Sequence, residues 1–241
     1  MTSREFKERL SRRLKKAGIT VPAALSDRLW VYFQLLAKWN AKINLTGLDL
    51  EDPTPEALDR LLIEPLLAAP HAGGAASLID IGSGGGSPAL PLALALGNIR
   101  LAMIEVKTRK SVFLREAARE LGLEHAVVVT ARHESLLSDV AFHEAFDLLS
   151  VRAVRVESRV FSALQTFVKP GGRLLHFRSA TEGGPLLPPP LELSGAYPLG
   201  ESSLNKLLVI EKNPRNVPRG TSESASASIV PRGTLLRNRL T

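Results

Sequence analysis

The chain has 241 residues, of which 44% are hydrophobic and 5% aromatic, and it has no cysteine. The length suits one large domain or a domain with a small appendage, and the missing thiols exclude a disulfide scaffold, a zinc-thiolate centre, an iron–sulfur cluster and a cysteine nucleophile. The net charge of +7 is uneven: residues 1–16 hold seven basic and two acidic side chains, residues 211–241 hold six and two, and the body between is close to neutral.

Basic ends on such a body suit a polyanion such as nucleic acid, or they are simply solvated termini. No apolar run approaches the roughly 18 residues of a membrane span, and Met1 to Glu8 lack the apolar stretch of a secretory signal. A cytoplasmic protein that does not engage a membrane is expected.

In chain order, Arg4 to Lys16 predicts a charge-dense helix with Phe6, Leu10 and Leu14 on a thin apolar stripe. Ser26 is a candidate cap for a second helix carrying Leu29, Phe33 and Leu36 and ending near Trp39-Asn40. Asn44-Leu45-Thr46-Gly47 reads as a turn. Thr54-Pro55 starts a third helix toward Leu67, with Pro65 ending or bending it.

After the linker His71-Ala72-Gly73-Gly74, short apolar runs alternate with helical patterns. Strands are expected at 78–81, 101–105, 126–129, 146–150, 174–177 and 206–210, and helices at 88–96, 111–121 and 156–167. Lys169-Pro170-Gly171-Gly172 is expected to be a turn, residues 183–190 a loop and everything beyond Asn213 a disordered basic tail. This alternation predicts an α/β fold in which helices cover both faces of a parallel sheet, and the continuous apolar strands agree with burial on both sides.

The run Asp80-Ile81-Gly82-Ser83-Gly84-Gly85-Gly86 lies between the first strand and a helix. Glycines serve where the backbone turns tightly or lies against a ligand, and the carboxyl ends of parallel strands are where nucleotide-like ligands bind. Glu105 closes the second strand, where a carboxylate can accept from both hydroxyls of a ribose. Gly82 and Gly84 match the first two positions of the dinucleotide fingerprint, but Ser87 occupies the third. Asp80 would repel a pyrophosphate and suits a cation, which favours S-adenosyl-L-methionine over NAD. The same residues could also be no more than a strand-to-helix turn.

Several ordered segments resemble one family. Trp39-Asn40-Ala41-Lys42-Ile43-Asn44-Leu45-Thr46-Gly47 is similar to its W-N-x-x-x-N-L-T motif, and Ile79 to Pro91 to its I-D-x-G-S-G-x-G-x-P-G-x-P motif. Lys107 and Lys110-Ser111-Val112-Phe113-Leu114, Arg132-His133-Glu134, Ser150-Val151-Arg152-Ala153 and Pro170-Gly171-Gly172 follow in the family's order. The family is that of the bacterial small-subunit ribosomal RNA guanine-N7 methyltransferases, also called glucose-inhibited division protein B. The chain departs from it at Leu61, Glu64, Pro65, Ser87, Ala89 and Arg178-Ser179.

The resemblance implies a Rossmann-like methyltransferase fold with a seven-stranded, mostly parallel sheet over residues 73–212, an N-terminal helical extension over residues 1–72 and a tail over 213–241. It implies S-adenosyl-L-methionine as donor, and guanine 527 of 16S ribosomal RNA, free or in the small ribosomal subunit, as acceptor. The expected donor-binding residues are Asp80, Gly82, Ser83, Gly84, Glu105, His133, Glu134 and Arg152, with His133 and Glu134 acting mostly through backbone. Ser150 and Arg152 are expected to face the target guanine as catalytic residues, and Asn40, Asn44, Lys107, Lys110 and Arg178 to touch RNA. No metal is expected, and the chain is expected to act as a monomer. A non-catalytic RNA-binding relative, or a methyltransferase with another acceptor, is the competing reading.

Overall fold

A computed structural model describes residues 1–152, 157–200 and 205–214. Seven strands form one sheet: β1 (Ser77–Ile81), β2 (Arg100–Glu105), β3 (Ala126–Thr130), β4 (Phe146–Arg152), β5 (Val168–Ser179), β6 (Leu191–Pro198) and β7 (Asn205–Lys212). Their order across the sheet is β3-β2-β1-β4-β5-β7-β6. The first five run parallel, while β7 pairs antiparallel with both β5 and β6. Strand order reverses between β1 and β4, which opens a crevice at their carboxyl ends.

Alternation along each strand divides the core. Leu78, Met103, Leu148, Leu175 and Val209 join the face covered by α1 (Ser3–Lys16), α2 (Ala23–Asn40), α5 (Ala89–Leu96) and α6 (Thr108–Glu120). Ile79, Ile104, Val151, Leu174 and Ile210 face the opposite side, under α7 (Ser158–Leu164). By the same period of two, Asp80, Ser150 and Arg152 point toward the side of the N-terminal helices.

Helix α1 is closed by a capping box, in which Thr2 Oγ1 accepts from the Glu5 amide and Glu5 Oε2 accepts from the Thr2 amide. Its buried Phe6 packs 5.0 Å from Trp30 and 5.2 Å from Phe33 between ring centroids. Among the described residues, no helix is long and apolar enough to cross a membrane.

Several sequence expectations are corrected. Helix α2 begins at Ala23, ahead of Ser26, because Pro22 with φ −59° pre-sets its first turn and accepts from the Leu25 and Ser26 amides. The third helix is α3 (Pro55–Leu58), a π-helical turn over Asp59–Ile63 and α4 (Glu64–Ala68). Pro65 does not end it, since a residue in a first turn needs no amide donor. Helix α6 starts at Thr108 rather than Ser111.

Lys169 to Gly172 lie inside β5, where the pairing with β4 shifts between Phe146 and Leu148. Strand β6 is an element the residue patterns did not reveal. The expected helix from Val156 resolves into α7 and a 3-10 turn over Gln165–Phe167, with Val156 itself outside the described residues. So is nearly all of the expected tail.

Candidate active site

The crevice between β1 and β4 gathers the buried polar side chains of Asp80, Ser83 and Ser150. Asp80 lies at the end of β1, opposite Met103 of β2 and Ser150 of β4. Ser150 Oγ donates to Asp80 Oδ1. Asp80 Oδ2 is buried and has no hydrogen-bond partner among the described residues. Burial raises the Asp80 carboxyl to about 6, against the opposing hydrogen bond from Ser150 and the attraction of Arg152.

The glycine loop passes over this carboxylate. The Gly82 and Ser83 amides donate to the Ile104 carbonyl at 2.9 and 3.1 Å. Gly82 has φ +76° and faces open space, so a side chain there would be strained and would project into the crevice. Glu105 Oε2 accepts from the Gly84 amide at 2.9 Å and its Oε1 from the Lys107 amide at 2.8 Å. Each oxygen keeps a lone pair for a further donor.

The N-terminal helices form the roof. Tyr32 on α2 donates its hydroxyl to the Gly85 carbonyl at 2.7 Å. A Cβ on Gly85 would lie 3.2 Å from Leu36 Cδ1 and 3.4 Å from the Leu45 carbonyl, so helix and loop are in close contact. Beneath this roof is a cavity of about 200 Å³ lined by Leu45, Thr46, Arg60, Gly82, Gly84 and Arg152, among others.

Arg152 is held on three sides. Its Nη2 lies 2.9 Å from Glu64 Oε2, its Nη1 donates to the Arg60 carbonyl, and its guanidinium sits 4.6 Å from the centre of the Phe177 ring. Burial, only partly offset by Glu64, lowers its pKa to about 10, so it stays charged at neutral pH. Glu64 is 3% exposed, and its Oε1 accepts from Asn205 Nδ2 at 2.7 Å.

A family model described as rRNA small subunit methyltransferase G matches residues 26–184. The chain belongs to that family. The Ribosomal RNA small subunit methyltransferase G of Neisseria meningitidis (serogroup C / serotype 2a) is 35% identical over 197 residues, 82% of this chain and 84% of that protein. The protein of the same name from Myxococcus xanthus is 33% identical over 175 residues, 73% of this chain and 79% of its own length.

Solved structures show the same fold. The O-methyltransferase from Bacillus cereus in complex with SAH superposes with a TM-score of 0.54 at 16% identity, covering 88% of this chain and all of that one. A SAM dependent methyltransferase from Aquifex aeolicus gives 0.51 at 16% identity, covering 66% of this chain and 93% of that one.

The donor set fits S-adenosyl-L-methionine, a ligand with a sulfonium, an ammonium and a ribose. The unpartnered Asp80 Oδ2 is a buried anionic acceptor that such a cation satisfies, and Gly82 leaves the space beside it open. Glu105 keeps acceptor capacity for two hydroxyls.

The structure brings Asp80, Gly82, Ser83, Gly84, Glu105, Ser150 and Arg152 together around the crevice between β1 and β4. Ser150, expected to face the acceptor, is fully buried and turned toward Asp80, so it positions that carboxylate. His133 and Glu134 sit in the turn after β3, paired with each other at 3.2 Å and outside the cavity lining.

Of the expected RNA contacts, Asn40 Oδ1 accepts from the Leu45 and Thr46 amides at 2.8 and 2.9 Å, which shapes the loop over the cavity. Asn44 and Lys107 are exposed and Lys110 is half-buried. Arg178 is not presented at the surface, since its side chain is 6% exposed and lies 2.9 Å from Glu182. Sequence reasoning missed Tyr32, Arg60, Glu64 and Ser87. Glu64 and Ser87 gave a signal as departures from the family pattern, and Glu64 also as a lone carboxylate in the run Leu61-Leu62-Ile63-Glu64-Pro65-Leu66.

Proposed function

We propose that this chain transfers the methyl group of S-adenosyl-L-methionine to N7 of a guanine in 16S ribosomal RNA, at position 527 as the family resemblance suggests. The reading rests on the buried, unpartnered carboxylate oxygen of Asp80 beneath the glycine loop, in a chain of this family. A pyrophosphate at this loop would face that carboxylate. The acceptor is free 16S RNA or the small subunit in the cytoplasm, and the chain acts as a monomer.

S-adenosyl-L-methionine supplies an electrophilic methyl group on a sulfonium. Guanine N7 would attack the methyl carbon through a free lone pair as the methyl–sulfur bond breaks and a neutral thioether leaves, and because N7 loses no proton the chain needs no general base. Its residues contribute alignment and electrostatics. Asp80, steadied by Ser150, holds the cationic donor, and Glu105 holds the ribose and pins the loop through the Gly84 amide.

The methylated guanine is a cation. Glu64 neutralises Arg152 beside the cavity, so this guanidinium does not oppose the charge that develops on the base.

The test is transfer of a tritiated methyl group to small-subunit RNA, followed by borohydride and aniline cleavage to locate N7-methylguanine. Label at one guanine is the expected result. Donor binding without label in any RNA overturns the acceptor.

A further inference from the structure

Arg60 is the cation of the cavity that the donor site does not use. It lies in the π-helical turn Asp59–Ile63, where the i−5 bond from the Glu64 amide to the Asp59 carbonyl replaces the usual i−4 pattern. The turn directs the Arg60 carbonyl to Arg152 Nη1 and the Leu61 carbonyl to Ser87 Oγ, the latter at 2.9 Å. The backbone of this residue is therefore fixed, and the half-buried residue lines the cavity with Gly84, Ser87 and Arg152.

Among the described residues, the Arg60 guanidinium has no ion pair or hydrogen bond. The neighbouring cations do: Arg152 is matched by Glu64, Arg13 by Asp59 and Arg9 by Asp52. Arg60 and Arg152 are close enough for their charges to oppose each other. A half-buried guanidinium that lines a cavity beside a second cation suits an anionic ligand group.

Resting on the methyl transfer reading above, we propose that Arg60 binds the phosphodiester of the nucleotide whose base enters the cavity. The chemistry of the base decides between phosphate and base edge. A guanidinium fork on guanine normally takes O6 and N7 together. That contact would occupy the lone pair that must attack the methyl group. A bare cation against the ring would also oppose the positive charge the base acquires. A phosphate accepts the same fork, cancels the charge and leaves N7 free.

The experiment compares wild type, Arg60→Ala and Arg60→Lys in steady-state methylation of small-subunit RNA at several salt concentrations, with calorimetric donor binding and thermal melting alongside. For R60A, KM for RNA should rise roughly tenfold, with the salt slope of log KM reduced by about one. Donor affinity and melting temperature should stay near wild type. R60K should keep the wild-type salt slope, since it keeps the charge that neutralises the phosphate.

R60A with unchanged KM and salt slope overturns the proposal while leaving the methyltransferase reading intact. A loss of donor affinity matching the loss of activity also overturns it, because Arg60 would then serve the donor pocket. R60A that raises KM while leaving the salt slope unchanged points to a contact with the base and overturns the phosphate assignment. If wild type labels no RNA, the parent reading fails, and this proposal with it.

Discussion

At Asp80 the protein keeps a carboxylate where burial disfavours its charge, and the raised value of about 6 has two consequences. A cationic donor binds the ionised form, so below pH 6 binding must first release a proton. Donor affinity should be flat above pH 7 and fall about tenfold per unit below 6, as calorimetry across pH reads directly. Asp80→Asn should lose roughly a hundredfold in affinity at pH 7.5, about 3 kcal/mol, and should lose the pH dependence with it. A variant with the same pH profile as wild type would remove Asp80 from donor binding. The second consequence concerns the free protein. The folded state holds the Asp80 proton more tightly than the unfolded chain, so this stabilisation is complete below pH 3.8 and fades as pH rises to 6. His176 works in the opposite direction. It is buried against Phe161, its Nδ1 has no partner among the described residues, and burial lowers its pKa to about 4. Its stabilisation is present above pH 6.5 and fades as pH falls to 4. Each effect is worth about 3 kcal/mol, so the two nearly cancel between pH 4 and 6. His176→Leu should unmask the Asp80 slope, and urea denaturation should find it gaining about 3 kcal/mol on wild type between pH 6.5 and 4. Parallel curves for the two proteins would contradict the assignment.

Among the elements, the π-helical turn and α4 decide the shape of the site, and they were the least legible in the sequence. Strand β1 and its loop were legible because Leu78 to Ile81 is continuously apolar save for Asp80, and because glycines must supply the positive φ values at Gly82, Gly84 and Gly86. Nothing in Asp59-Arg60-Leu61-Leu62-Ile63 announces a change of hydrogen-bond register, since a π turn has no composition of its own. Strand β6 was hidden for another reason. Its sequence, Leu-Glu-Leu-Ser-Gly-Ala-Tyr-Pro, is mostly exposed at a sheet edge, so burial imposes little pattern on it. The departures at Ser87 and Glu64 also acquire a physical meaning. Ser87 ties the loop to the Leu61 carbonyl, and Glu64 still provides the carboxylate facing Arg152. Glu64→Gln leaves a buried guanidinium without its counter-charge and should cost about 3 kcal/mol in urea denaturation. Ser87→Ala should cost about 1 kcal/mol. If E64Q is as stable as wild type, Arg152 draws its compensation from elsewhere.

Across the whole molecule, the N-terminal helices are part of the methyltransferase core rather than a cap laid upon it. One apolar cluster runs from Phe6, Leu10 and Leu14 of α1 through Leu29 and Leu36 of α2 to Leu78, Leu148, Leu175 and Val209 of the sheet. Tyr32 extends the connection to the glycine loop through the Gly85 carbonyl. Shared burial of this kind leaves no weak plane along which residues 1–72 could open separately, so the chain should unfold as one unit. The sequence supplies convenient reporters, because its two tryptophans, Trp30 and Trp39, both lie on α2, whereas far-UV dichroism is dominated by the rest of the chain. Tryptophan fluorescence and far-UV dichroism should therefore give the same midpoint in urea. Phe6→Ala removes a fully buried ring from the far end of the cluster and should destabilise the protein by about 3–5 kcal/mol. Both probes should move together to lower urea, and the slope of each transition should be unchanged. A fluorescence transition that precedes the dichroism transition, in wild type or in F6A, would mean that the helices unfold by themselves and that the roof over the crevice can open without melting the sheet.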